Sequence, residues 1–164
     1  MFDKFGEMDS FEEINELAEN LFNEGDMDSI RIMAKENGIP EEYAQMYIEG
    51  AIPYITDAFT AANGKLDIEC EDLKPNGLME DWTEYIRGLC MEEPRMAAVV
   101  RKKGKSLKEC IAKLLAFSFS NRQQVDKDIV KMADIRAGRV DFGVPGMKDA
   151  KRLIREYYLE DAAK

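Results

Sequence analysis

Four basic side chains, Arg101, Lys102, Lys103 and Lys105, surround Gly104 and stand just ahead of Ser106. Cations packed this densely could neutralise phosphates. The run VVRKKGKS over 99–106 ends like a phosphate-binding P-loop. The resemblance stops there. The position that would need glycine is Val99, the loop is basic instead of glycine-rich, and no strand is evident before it. A second basic set, Lys148, Lys151, Arg152 and Arg155, falls at i, i+3, i+4 and i+7 and therefore on one face of a helix. The two sets could meet and grip nucleic acid. They could equally pair with carboxylates or form a solvated face.

Carboxylates dominate the other half. Residues 1–93 carry 24 acidic and 6 basic side chains, whereas 94–164 carry 9 and 17. A surface that acidic could compete for a groove lined by Lys and Arg to hold nucleic acid. Glu41, Glu42 and Glu49 are its candidate contacts, on a helix that contains no Lys or Arg. The segment SIRIMAKENGIPEEYAQMYIEG has the outline of a helix-turn-helix, but its second helix would be repelled by phosphates. A helical hairpin packed on the first helix is the expected role.

Much chemistry is excluded. The chain has no histidine, so Ser-His-Asp triads, Cys-His dyads and HExxH zinc sites are impossible. Cys70, Cys90 and Cys110 are odd in number and far apart, which argues against a disulfide framework or a zinc knuckle. Glu69, Glu71 and Asp72 match no calcium loop. No catalytic residue, metal or cofactor is therefore assigned, and the chain is read as a non-enzyme. The net charge of −10 opposes indiscriminate DNA binding. No apolar run approaches the roughly 18 residues of a membrane span. The acidic start lacks a signal-peptide core, so a cytoplasmic location is expected.

The elements that must position these side chains read as helices. Ser10 and Glu13 form a capping box before the stripe Phe11, Ile14, Leu17, Ala18, Leu21 and Phe22. Helices follow at about 29–37 and from Pro40 to Gly50. Pro53 opens another, with Ile55, Ala58, Phe59 and Ala62 inward and Asn63-Gly64 as its stop. Residues 65–77, KLDIECEDLKPNG, are the expected boundary, with LDIEC as a possible extended piece. Residues 78–91 form a helix lined by Trp82, Tyr85, Ile86 and Leu89, followed by one from Pro94 to Lys103. Ser106 and Glu109 make a second capping box for a central helix carrying Cys110, Ile111, Leu114, Leu115 and Ser118. Asp126 caps a short helix with Ile129, Val130 and Ala133 inward. RVDFGVPG is a turn-rich connector with room for one short strand, and the last helix spans about 147–160. The expected fold is all-α: two packed helical units, 1–75 and 76–164, with at most one or two short strands.

Over 94–160 the order is a proline-led helix, GKSLKECIAKLL, a short helix with VDKDIV, and a terminal helix closing in REYYLED. This stretch resembles the PcfK-like proteins of conjugative plasmids and integrative elements. Relatives of that family are described as inhibitors of the type II CRISPR effector nuclease. RAGRVDFGVPG, before the last helix, is longer than the family pattern. The resemblance implies a non-enzymatic, anti-CRISPR type inhibitor whose partner is the effector with its guide RNA. A nucleic-acid-binding or conjugation-accessory protein is the alternative it leaves open. It carries over no catalytic residues and says nothing of oligomeric state.

Overall fold

Helix α1 (Phe11–Asn23) begins where Ser10 accepts the Glu13 N–H at 3.1 Å. The Glu13 carboxylate reaches one residue further back than a capping box requires, accepting the Asp9 N–H at 2.5 Å. Gly25 ends the helix, and Asp26 caps α2 (Met27–Glu36) by accepting the Ser29 N–H at 3.0 Å. Pro40 precedes α3 (Glu41–Ile48). The computed structural model describes residues 4–160. Within them the lead-in docks against α2: the Lys4 and Phe5 N–H groups donate to the Glu36 carboxylate at 2.7 and 2.9 Å, and Met8 is buried. One apolar cluster gathers Ile14 and Ala18 of α1, Ile30 and Met33 of α2, and Ala44 of α3.

The largest departure from expectation is α4 (Ala58–Leu73). It starts four residues after Tyr54, where Asp57 accepts the Thr60 N–H at 2.7 Å; Pro53 starts no helix. It runs through Asn63-Gly64 and through LDIEC, so the only break in this region is 74–77. Lys74 ends it in the left-handed region (φ 49°), followed by Pro75. Gly64 does not stop the helix; its role is packing. A Cβ at Gly64 would stand 2.6 Å from the Gly38 carbonyl oxygen, and Gly38 itself needs φ 72°. The turn between α2 and α3 thus lies directly on the α4 backbone. Helix α4 also lacks a single stripe, because Ala61 joins the N-terminal cluster while Ala62 and Leu66 join a second one. Phe59, expected inward, is exposed.

The second cluster is built by α5 (Leu78–Glu92), α6 (Pro94–Arg101), α7 (Leu107–Ser120) and α9 (Met147–Arg155), which continues into a π-helical turn (Glu156–Glu160). Trp82, Ile86, Met96, Leu114 and Ile154 are among its members. Between α7 and α9 the chain makes an excursion. Strand β1 (Gln123–Gln124) pairs antiparallel with β2 (Asp141–Phe142), and α8 (Lys127–Met132) lies between them, capped by Asp126. This excursion is thinly packed. Ile129 is 58 % exposed and Ala133 is exposed, so neither points inward as their spacing suggested. The fold is all-α with one minimal two-stranded sheet among the described residues.

On α7, Leu114 is fully buried while its neighbour Leu115, expected inward, is 56 % exposed. Leu114→Ala should cost on the order of 2–5 kcal/mol, as for a buried large-to-small change. Leu115→Ala should stay within about 0.5 kcal/mol. Urea denaturation of the two variants checks this; equal losses would mean that the wrong face of α7 has been assigned to the core.

Candidate partner-binding surface

The two basic sets have different fates. Arg101, at the end of α6, is 1 % exposed. Its Nε donates to the Met8 carbonyl at 3.0 Å, and its Nη1 donates to the carbonyls of Asn37 and Ala61, each at 3.2 Å. Its Nη2 donates to the Asn37 side-chain oxygen. Burial lowers its pKa, and the surrounding Glu7, Glu13 and Glu69 oppose that shift. Lys105 is also buried; its Nζ donates to the Tyr157 carbonyl at 2.5 Å and lies 4.6 Å from the centre of that ring. Arg101 and Lys105 therefore leave the expected basic patch, because their donors are spent inside the fold. Lys102 and Lys103 remain exposed.

The P-loop likeness also closes. The buried Lys65 donates to the carbonyls of Lys102 and Lys105 at 2.5 and 2.7 Å and pairs with Glu7 at 2.8 Å. At the start of α7, Ser106 accepts the Glu109 N–H at 3.1 Å and Glu69 accepts the Leu107 N–H at 3.2 Å. The second half of the expected capping box is replaced by a tyrosine: the Tyr157 hydroxyl accepts the Ser106 N–H and donates to the Glu109 carboxylate, both at 2.7 Å. The Lys103, Ser106, Leu107 and Glu109 N–H groups, which could have cradled a phosphate, already donate to protein acceptors.

On α9, the expected single face exists but is largely committed. Arg155 forms a two-pronged pair with Glu93 at 2.7 and 3.1 Å, and this holds the Glu93 carboxyl below its ordinary pKa. Arg152 bridges Asp149 at 3.2 Å and Glu156 at 2.8 Å. Lys151 lies 5.2 Å from the Tyr85 ring centre. Lys148 is exposed. Such solvent-facing pairs stabilise little, yet they cancel much of the local positive field.

The acidic candidates are open. Glu41 and Glu42 are exposed in the first turn of α3, and Glu49, just past its end, accepts from Gln45 Nε2 at 2.6 Å. Glu41 shares its cleft with Arg31 and Lys35 and with the carboxylates of Asp67, Glu71 and Asp72. Sequence reasoning missed a purer acidic face. Glu12, Glu16 and Glu19 of α1 are exposed, recur at i, i+4 and i+7, and belong to a helix with no Lys or Arg. That spacing was readable in the sequence.

Burial pushes Cys90 and Cys110 up to about 12, which keeps both as inert thiols. Glu69, Glu71 and Asp72 do not converge on a cation: Glu69 turns in toward α7, Asp72 pairs with Lys108 at 2.5 Å, and Glu71 is exposed. No described helix is long and apolar enough to cross a membrane. No protein family, curated protein or solved structure matches the chain.

Beneath the loop, one Glu69 oxygen is buried without a hydrogen-bond partner. Burial raises its pKa from the ordinary value of 4.5, against the pull of Lys65 and the Leu107 N–H. A carboxyl with a raised folded pKa keeps its proton in the folded state where the unfolded chain has already lost it. Stability then falls as pH rises through that window. Glu69→Gln abolishes this titration, so in urea unfolding between about pH 4 and 7 the variant should gain on the wild type as pH rises. A difference that stays constant, or moves the other way, would contradict the shift.

Proposed function

We propose that the chain is a non-enzymatic inhibitor that binds a type II CRISPR effector nuclease with its guide RNA and blocks its action on DNA. The observation that carries this reading is the unequal availability of charge. The carboxylates of α1 and α3 are open, whereas Arg101 and Lys105 are buried and Arg152 and Arg155 are paired. With a net charge of −10, such a molecule is repelled by free nucleic acid and drawn to a cationic groove. Effector nucleases hold their heteroduplex in a groove of that kind. The PcfK-like resemblance over 94–160 supplies the class of partner. Lys102, Lys103, Lys148 and Lys151 serve as a secondary contact to the guide RNA or the target duplex.

Reversing Glu41, Glu42 and Glu49 to Lys should slow association with the effector roughly tenfold at low ionic strength, since charge complementarity acts mainly on the on-rate. Stopped-flow or surface-binding kinetics, with target cleavage read in parallel, make the measurement. Sub-micromolar binding to bare duplex at physiological salt, with no effector bound, would instead favour the nucleic-acid-binding, conjugation-accessory alternative.

A further inference from the structure

A groove of about 720 Å³ runs along α1, between that helix and the loop that leads into α4. Its surface is aromatic: Phe11 and Phe22 come from α1, Tyr47 from α3 and Tyr54 from the loop. Phe22 and Tyr47 meet edge to face at 5.8 Å between centroids. Tyr54 is 68 % exposed. The carboxylates of Glu12, Glu16, Glu19 and Asp57 surround these rings, and no Lys or Arg lines the groove.

The far wall is fixed in place. The Asn15 side chain donates to the Thr56 carbonyl at 3.0 Å and accepts the Ile55 and Thr56 N–H groups at 3.1 and 3.2 Å. One α1 amide thus holds three backbone groups of the loop, so Tyr54 is presented by an ordered segment. Partners that find a preorganised surface lose less entropy on binding.

The electrostatics select the occupant. Phe22 and Asn23 bring the groove to the carbonyl end of α1, and no basic residue stands in the last turn to offset the negative pole of that helix. Glu19 and burial together raise the pKa of Tyr47, with burial the larger cause, so its hydroxyl stays neutral. Ring faces, carboxylates and a helix C-terminus all attract the same thing, a cation on an apolar stem. Arg and Lys side chains provide one. Phosphates, whether in nucleic acid or at a lipid surface, are repelled.

We infer that this groove between α1 and the 51–57 loop docks an extended segment of a partner protein that carries Arg or Lys side chains. The inference rests on the reading that the acidic half makes the partner contact, and it moves the centre of that contact from α3 to α1. Arginine planes stack on the exposed aromatic rings while the guanidinium groups pair with the surrounding carboxylates.

The test uses the full chain and a fluorescein-labelled nonapeptide of alternating Arg and Gly, read by anisotropy, with a Glu/Gly peptide as the opposite-charge probe. The wild type should bind the Arg peptide in a salt-sensitive manner and ignore the Glu peptide. Tyr54→Ala should weaken binding about threefold or more, as expected for loss of an exposed ring contact. Glu16→Lys with Glu19→Lys should weaken it at least about tenfold. Glu80→Lys with Asp81→Lys, the same charge change at exposed positions on α5, should stay within about twofold. Equal losses from both charge reversals, or no loss from Tyr54→Ala, would overturn the groove as the site. The effector provides a separate readout. Groove-dependent peptide binding without inhibition of cleavage supports the groove and contradicts the proposed function. Groove variants that bind and inhibit the effector like the wild type overturn the groove and leave that function standing.

Discussion

The buried Arg101 guanidinium is the constraint on which the arrangement depends. It is the last residue of α6, and its donors end on three other parts of the chain: the lead-in at Met8, the α2 terminus at Asn37, and α4 at Ala61. A guanidinium cannot shed its charge, so removal from water must be offset by fixed acceptors. Four oxygens supply them, and the carboxylates of Glu7 and Glu13 add a favourable field. The acidity of the first half is therefore partly structural. It compensates a cation supplied by the second half.

A layer of polar contacts extends from that point. Lys65 holds the loop that follows α6, Lys105 holds the carbonyl of Tyr157, and the Tyr157 hydroxyl completes the cap of α7. Each is a long side chain whose stem packs in the core while its head satisfies backbone groups. The cost to function is direct, because cations used this way cannot meet phosphates. What remains at the surface is acidic on α1 and α3, while Arg95, Arg122, Lys127, Lys131, Arg136 and Arg139 stay exposed in the second half. On the proposed function, that division favours a protein partner with exposed Arg or Lys over bare nucleic acid.

Local signals in the sequence were legible where one residue type decides the outcome. Ser10, Asp126 and Ser106 cap helices as their spacing implies, and Leu114 is buried. The errors arise where tertiary contact overrides local preference. Gly64 looks like a helix stop, but in the fold it is the place where two backbones meet. Helix α4 buries parts of two faces, so no single stripe announces it. A run of Arg and Lys is ordinarily solvated, and nothing local marks two of its members as buried. Only the positions of Met8, Asn37, Ala61 and Tyr157, distant in sequence, reveal that Arg101 and Lys105 turn inward. On α1 the signal is the i, i+4, i+7 spacing of Glu12, Glu16 and Glu19, which is local and needs no tertiary contact to be read.

The measurement closest to the central claim is the urea unfolding midpoint of Arg101→Met. Methionine retains much of the apolar stem and removes every donor. If the guanidinium ties the lead-in, α2 and α4 to α6, the variant should lose about 3 kcal/mol or more, since charged hydrogen bonds vanish and buried acceptors are left unpaired. A midpoint and slope equal to those of the wild type would contradict the account and return Arg101 to the surface as a contact for a partner.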